Sequence, residues 1–196
     1  TPIQVITAIS AVVNGGNLMR PHLVKEYVDE DKITTRKVES EVIRQVISKE
    51  TSVEINKYLE RVVSQGTGRN AKVLGYRIGG KTGTSEKIAE NLQENDVPKY
   101  VASFVGVAPI DNPKIAILVL LDEPRGEYYE GSQIAAPVVG RIMSEVLPYL
   151  GIEPVYSTAD LVGVDVEMPD LIGKTPSEAR KIIAQKRFSG LRIRIV

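Results

Sequence analysis

No cysteine occurs in the 196 residues, which excludes disulfides and thiolate metal sites. A cysteine-free chain suits an extracytoplasmic protein, though it suits the cytosol nearly as well. Net charge is also missing. The 25 lysines and arginines balance 25 aspartates and glutamates. That balance removes the usual electrostatic case for binding nucleic acid or an anionic membrane surface. No long apolar run is present either: residues 115–121 form the longest, seven residues, where a bilayer crossing takes about 20. No signal-peptide pattern opens the chain, so any anchor is expected outside this segment. The single histidine, His22, has no carboxylate partner in view and reads as a surface or packing residue. What remains is ordinary globular composition, 42% hydrophobic, enough for one domain or a domain plus a small module.

Helical and strand periodicities then divide the chain. Thr1-Pro2 reads as an N-cap with proline at the first helical position. Val5, Ile6, Ile9, Val12 and Val13 follow on one face, and Asn14-Gly15-Gly16 stops that helix. Residues 17–29 alternate loosely and suggest a strand, with Pro21 holding part of it extended. Thr51 and Glu54 match a capping box ahead of a stripe of Ile55, Tyr58, Leu59, Val62 and Val63. Gly66-Thr67-Gly68 is then a turn; a phosphate nest is its less economical reading. Three strands are expected over residues 76–84, 100–108 and 114–121. The last two flank Asp111-Asn112-Pro113 and should pair as an antiparallel hairpin. Ile134, Ala135, Val138, Val139, Ile142, Met143, Val146 and Leu147 predict a sheet-covering helix, with Pro137 in its first turn. Residues 86–99 read as a mobile loop, and Tyr128-Tyr129 as packing at the sheet end.

After Pro154 the composition shifts, and residues 154–165 read as a linker. Thr175-Pro176-x-Glu178 is a further capping box, with Ala179, Ile182 and Ile183 facing inward. Leu191, Ile193 and Ile195 alternate with Arg192 and Arg194 as in a half-buried strand.

The stretch "YRIGGKTGTSEK", residues 76–87, carries the chemistry and admits two readings. With Gly75 it yields "GYRIGGKT", a formal phosphate-binding loop, and Asp122 or Glu123 supplies the acid such a site needs. The flanks oppose this. Upstream "RNAKVLG" is no buried strand, and Gly83-Thr84-Ser85 makes a poor first helical turn. An antiparallel hairpin is also foreign to nucleotide-binding parallel sheets. The other reading sets "KTGT", residues 81–84, along an edge strand facing a cleft. For an isolated lysine, a solvated edge residue that discourages aggregation is the simpler account.

The surrounding segments favour the cleft. "TPIQVITAISAVVNGGNLMRPHLV", "VVSQGTGRNAKVLGYRIGGKTGTSEK", "YVASFVGVAPIDNPKIAILVLLDEP" and "YYEGSQIAAPVVGRIM" occur in order. Together they resemble the transpeptidase domain of class B penicillin-binding proteins over residues 1–153. Residues 166–196 resemble the N-terminal half of a PASTA module. The resemblance implies an α+β fold, an antiparallel sheet flanked by helices, incomplete here and followed by a partial β-α-β unit. It implies a serine D,D-transpeptidase that cross-links peptidoglycan stem peptides ending in D-Ala-D-Ala and is acylated by β-lactams. Lys81, Thr82, Gly83 and Thr84 would bind substrate. Lys81 would supply positive charge for the peptide carboxylate. The Thr82 and Thr84 hydroxyls would bind that carboxylate, and Gly83 would let the substrate backbone approach. The Thr84 N–H would form half of an oxyanion hole, so Lys81 and Thr84 are the catalytic candidates. No metal or organic cofactor is implied.

The family also needs Ser-x-x-Lys and Ser-x-Asn. None of the serines here begins either motif. The expectation is a C-terminal piece of a longer enzyme, inactive alone, whose nucleophile lies in the remainder of the domain. That remainder and the cell-wall synthesis machinery are its implied partners. The implied location is the outer face of the membrane of a Gram-positive bacterium. A rival reading, from a different class, is a non-catalytic sensor or wall-binding module on the same fold.

Overall fold

A computed structural model describes residues 1–92, 98–156 and 170–185. Helix α1 runs Pro2–Val13, capped by Thr1, whose hydroxyl donates to Gln4 Oε1 at 2.8 Å. It stops where expected. Gly15 and Gly16 take φ of +90° and +91°, and a Cβ on Gly16 would run into the Ile47 carbonyl. The single strand expected over residues 17–29 is instead two short ones, β1 (Asn17–Met19) and β2 (Glu26–Val28). Pro21 lies in the break, where a residue without an N–H cannot continue a ladder. β2 pairs with β3 (Thr34–Lys37) and β1 with β4 (Val42–Gln45), both antiparallel. Neither β3 nor β4 stands out in the sequence, because every residue of both is exposed and no alternation marks them.

Helix α2 (Lys49–Ser64) begins one turn before the Thr51–Glu54 capping box expected from the sequence. Ser48, in extended conformation, is the true N-cap and accepts from the Thr51 N–H at 3.2 Å. Glu54 is therefore helical and pairs with Lys57 at 2.8 Å. A 3₁₀ turn, Arg69–Ala71, leads on to β5 (Gly79–Glu86). The strand expected over residues 76–84 is thus displaced toward its C-terminal end. Arg77 is drawn out of regular pairing into ion pairs with Glu60 (2.6 Å) and Asp111 (2.9 Å). Tyr76 turns away to donate its hydroxyl to the Ile152 carbonyl at 3.0 Å.

A short helix α3 (Ile88–Asn91) interrupts the loop expected over residues 86–99. β6 (Tyr100–Ala108) and β7 (Ile115–Asp122) follow closely on the expected bounds and form the antiparallel hairpin. Sheet order is β5-β6-β7, with an unbroken register from Gly79 opposite Val107 to Glu86 opposite Tyr100. After α4 (Gly131–Ile134), helix α5 (Ala136–Tyr149) carries Pro137 in its first turn, as its sequence required.

One sheet face packs Phe104 and Ala108 against Val63, Ala71, Ala135, Val139, Met143 and Leu147. The opposite face packs Val107 and Ile110 against Val13 and, from α1 and α2, Ile9, Val12 and Leu59. Helix α6 (Pro176–Gln185) has the expected capping box: Glu178 N donates to Thr175 Oγ1 at 3.3 Å, and Glu178 Oε2 accepts from Thr175 N at 2.8 Å. Ala179 is buried as expected. The side chain of Ile183 lies outside the described residues, as do residues 157–169, which include most of the expected linker and the start of the last module, and the strand expected around Leu191, Ile193 and Ile195.

Candidate active site

β5 lies at one edge of its sheet and pairs only with β6 among the described residues. Which of its backbone groups face the open side follows from two hydrogen bonds at its ends. Ile110 N donates to the Arg77 carbonyl, and Lys87 N donates to the Lys99 carbonyl, each at 2.9 Å. Odd-numbered residues therefore direct their N–H and C=O toward β6. In an antiparallel ladder the alternate residues point the other way. Gly80, Thr82, Thr84 and Glu86 thus present donors and acceptors to the open edge. The register has no bulge to disturb that alternation.

Side chains alternate as well. Thr82 stands opposite Phe104, on the face covered by α5. Lys81 and Gly83 share the face of Val107, on the α1 side. Lys81 is exposed, and its ammonium donates to the Thr82 carbonyl at 2.8 Å. Because that carbonyl faces outward, the lysine charge sits at the open edge with further N–H donors unspent. The Thr82 hydroxyl lies 3.4 Å from that of Thr67, in the turn after α2. Thr84 Oγ1 accepts from Gly131 N at 3.2 Å, which leaves its O–H free to donate.

The structure places Lys81, Thr82 and Thr84 on one edge strand, the Lys81 side chain on one face and the two threonines on the other. It gives Gly83 a neighbour that was not foreseen: a Cβ there would collide with Ser103 Oγ of β6. That hydroxyl ends a short side chain that can rotate, so the contact alone does not demand glycine at this position. Thr67 and Gly131 were not singled out in the sequence as site residues. The Gly-Thr-Gly turn was the available signal for Thr67. Gly131 carries none, since its contact spans 47 positions.

The phosphate-loop reading fails here. Lys81 lies in an antiparallel strand, not at a strand-to-helix turn. The acids that reading enlisted, Asp122 and Glu123, take Lys87 instead, at 3.0 and 2.7 Å. Hydrogen bonds from Glu123 first, then Asp122, raise the pKa of Lys87 above the usual lysine range. These pairs tie down one end of the 87–99 segment, and Asn91 Oδ1 accepts from Lys99 N at 2.9 Å close by. Tyr129 stacks on Tyr100, centroids 4.3 Å apart, at the same end of the sheet. Burial is the first cause of a raised Tyr100 pKa, followed by the nearby Glu86 charge. His22 is exposed, its Nδ1 3.4 Å from the Arg20 carbonyl. No cluster of three or more His, Cys, Asp or Glu suited to a metal occurs among the described residues.

Comparison with known proteins places this arrangement in a family. Residues 1–144 match the family model of the penicillin binding protein transpeptidase domain. Stage V sporulation protein D of Bacillus subtilis is 42% identical over 193 residues, covering 93% of this chain and 29% of that protein. Peptidoglycan D,D-transpeptidase FtsI of Escherichia coli K12 is 32% identical over 154 residues, covering 79% of this chain and 24% of its own. The chain therefore spans less than a third of these relatives. Among solved structures, the D,D-transpeptidase domain of an Eggerthella lenta peptidoglycan glycosyltransferase superposes with a TM-score of 0.65 at 26% identity, covering 78% of this chain and 33% of that one. The transpeptidase domain of Burkholderia pseudomallei penicillin-binding protein 3 gives 0.60 at 34% identity, over 78% and 43% of the two chains. Edge strand, hairpin and covering helix are thus those of a known domain, and the chain belongs to the penicillin-binding protein transpeptidase family.

Proposed function

We propose that this chain supplies the Lys-Thr-Gly-Thr edge of a peptidoglycan D,D-transpeptidase whose nucleophilic serine lies elsewhere in the protein. The observation that carries this reading is the open edge of β5. The Thr84 N–H points outward there, beside the exposed Lys81 ammonium. A stem peptide ending in D-Ala-D-Ala adds to that edge as an antiparallel strand. Lys81 and the hydroxyls of Thr82 and Thr84 hold its carboxylate through charge-assisted hydrogen bonds. The Thr84 N–H donates to the carbonyl under attack and stabilises the negative charge that develops on its oxygen. Attack by the serine forms an acyl-enzyme and expels D-alanine, and the amine of a second stem peptide takes the acyl group. β-Lactams acylate the same serine. Residues 1–153 form this part of the domain, 154–165 a linker, and 166–196 the first half of a PASTA module. The capped helix α6 agrees with that module. The protein acts at the outer face of the cytoplasmic membrane of a Gram-positive bacterium.

The test is covalent labelling of the full-length protein by a fluorescent penicillin. Labelling that drops at least about a hundredfold in Lys81→Ala is expected, by analogy with loss of a preorganised charged donor. A folded full-length protein that takes no label overturns the transpeptidase reading. It would leave the second reading, a non-catalytic wall-binding module.

A further inference from the structure

A peptide paired antiparallel with β5 has a fixed direction. With its scissile carbonyl at the Thr84 N–H, its earlier residues run toward Glu86 and its terminal residue toward Gly80. The donor chain ends there, at the carboxylate assigned to Lys81, Thr82 and Thr84. Next to that end, on the Thr82 face of the strand, lies a polar groove of about 370 Å³ lined by Gly66, Thr67, Arg69, Asn70, Ser132 and Gln133. Thr67 Oγ1 is 3.4 Å from Thr82 Oγ1, so the groove adjoins the carboxylate end directly. Asn70 joins its two walls by donating to the Ser132 carbonyl at 2.9 Å.

Arg69 sits on a turn anchored in the core. Gly68 N donates to Val62 O and Ala71 N to Gly68 O, each at 2.9 Å, and Ala71 is fully buried. The Arg69 residue itself is exposed. It is the only charged residue in the groove, and no carboxylate shares the lining with it. The donor peptide leaves this charge unused, because its earlier residues diverge from the groove toward Glu86.

We infer that the Arg69 groove belongs to the acceptor: it binds a carboxylate that the acceptor carries beyond its attacking amine. The inference rests on the transpeptidase reading. In the transfer step the acceptor nitrogen bonds to the acyl carbon, the carbon–oxygen bond to serine breaks, and the amine proton passes to the serine oxygen. This is acylation run backwards, with the acceptor in place of D-alanine. The acceptor nitrogen therefore enters where the D-alanine nitrogen left. An acceptor built like a D-amino acid then sets its α-carboxylate at Lys81, Thr82 and Thr84. D-Alanine has only a methyl group besides. A larger acceptor has further atoms to place, and the groove past Thr67 is the space that adjoins that end. A planar guanidinium there suits a second carboxylate bidentately. The amides and hydroxyl of Asn70, Gln133 and Ser132 add donors and no competing negative charge.

The test uses the full-length protein, a donor peptide ending in D-Ala-D-Ala, and D-glutamate and D-glutamine at equal concentration as competing acceptors. These differ only in a side-chain carboxylate against a carboxamide. The ratio of the two transfer products is measured by mass spectrometry at low salt for wild type, Arg69→Gln and Arg69→Lys, and penicillin labelling is measured on wild type. Both acceptors meet the same acyl-enzyme, so the ratio does not depend on how fast that forms or on how much protein is folded. The expected result is a preference for D-glutamate of up to about fivefold, the range for a solvent-exposed pair. It should vanish in Arg69→Gln and return in part in Arg69→Lys. A preference absent from wild type, or unchanged in Arg69→Gln, overturns the subsite. Penicillin labelling with no such preference, or with no transfer to either acceptor, sinks the subsite and leaves the acylation chemistry standing. Neither labelling nor transfer overturns the transpeptidase reading and the subsite with it.

Discussion

The two faces of the three-stranded sheet are built from similar residues and finished to different degrees. On the α5 face, Phe104, Val139, Met143 and Leu147 are all fully buried. On the α1 face the cluster is smaller, and α1 itself, apolar on more than one side, leaves Ile3 54% and Val5 48% exposed. Helix α5 confines its buried residues to one stripe, with Arg141 and Glu145 exposed on the other side. A helix that is apolar all round is one that packs on several sides. The comparison teaches that this chain's stability lies mainly on one side of its sheet, and that the Lys81 face is the less covered one.

The largest effect should come from the closed face. Phe104→Ala is expected to destabilise by about 3–5 kcal/mol, the usual range for deleting a fully buried aromatic side chain, measured by urea denaturation. Gly68 and Gly80 both abut that ring and offer no side chain to fill the hole. A loss of under about 1 kcal/mol would mean the α5 face is not the principal core.

Next is Gly131→Ala. The new Cβ would strike the Ser103 and Gly83 carbonyls, which cannot move independently of the sheet. A cost of about 1–3 kcal/mol is expected from overpacking. The Gly131–Thr84 hydrogen bond should be lost with it, seen as a changed Thr84 environment by NMR.

Smaller again is Ser52→Ala, at the seam between α1 and α2. Ser52 is buried, donates to the Val12 carbonyl at 2.5 Å and accepts from Gly15 N at 3.0 Å. Removing the hydroxyl strands both backbone groups and should cost about 1–3 kcal/mol, toward the lower end because the seam is only partly buried. By contrast Ile3→Ser on the open face should change stability by no more than about 0.5 kcal/mol. An effect there as large as at Phe104 would abolish the distinction between the faces.

The smallest effect concerns α6. Hydrogen bonds from the Thr175 backbone first, and then its side chain, hold the Glu178 pKa below its ordinary value of 4.5. A carboxylate lowered in the folded state stabilises above the unfolded pKa and loses that contribution as pH falls through the folded one. The capping box should therefore be intact at neutral pH and weaken only below about pH 4.5, followed through the Ala179 amide signal.

Much of this architecture was legible in the sequence where a residue's local preference agrees with its environment. The bounds of α1 came from Thr1-Pro2 and Asn14-Gly15-Gly16, and β6 from its run of apolar and β-branched residues. Legibility failed where partners are distant or side chains are wet. β3 and β4 are exposed throughout and exist by pairing. The start of β5 was misplaced because Arg77 answers to Glu60 and Asp111, 17 and 34 positions away. The start of α2 was misplaced because two hydroxyls, at Ser48 and Thr51, compete for one cap.

The candidate site divides in the same way. "KTGT" was readable as a motif, since its residue types and spacing are local. By itself the sequence determined the fold class, the hairpin, the covering helix and the identity of the groups on offer. Only the tertiary structure decided which way those groups point. Strand alternation sends the Thr82 and Thr84 backbone outward, but that direction is set by where Ile110 and Lys99 meet the two ends of β5. Asn70 meets the Ser132 carbonyl because α4 and α5 pack against the 3₁₀ turn. Such placements depend on contacts dozens of residues apart, and no local pattern encodes them.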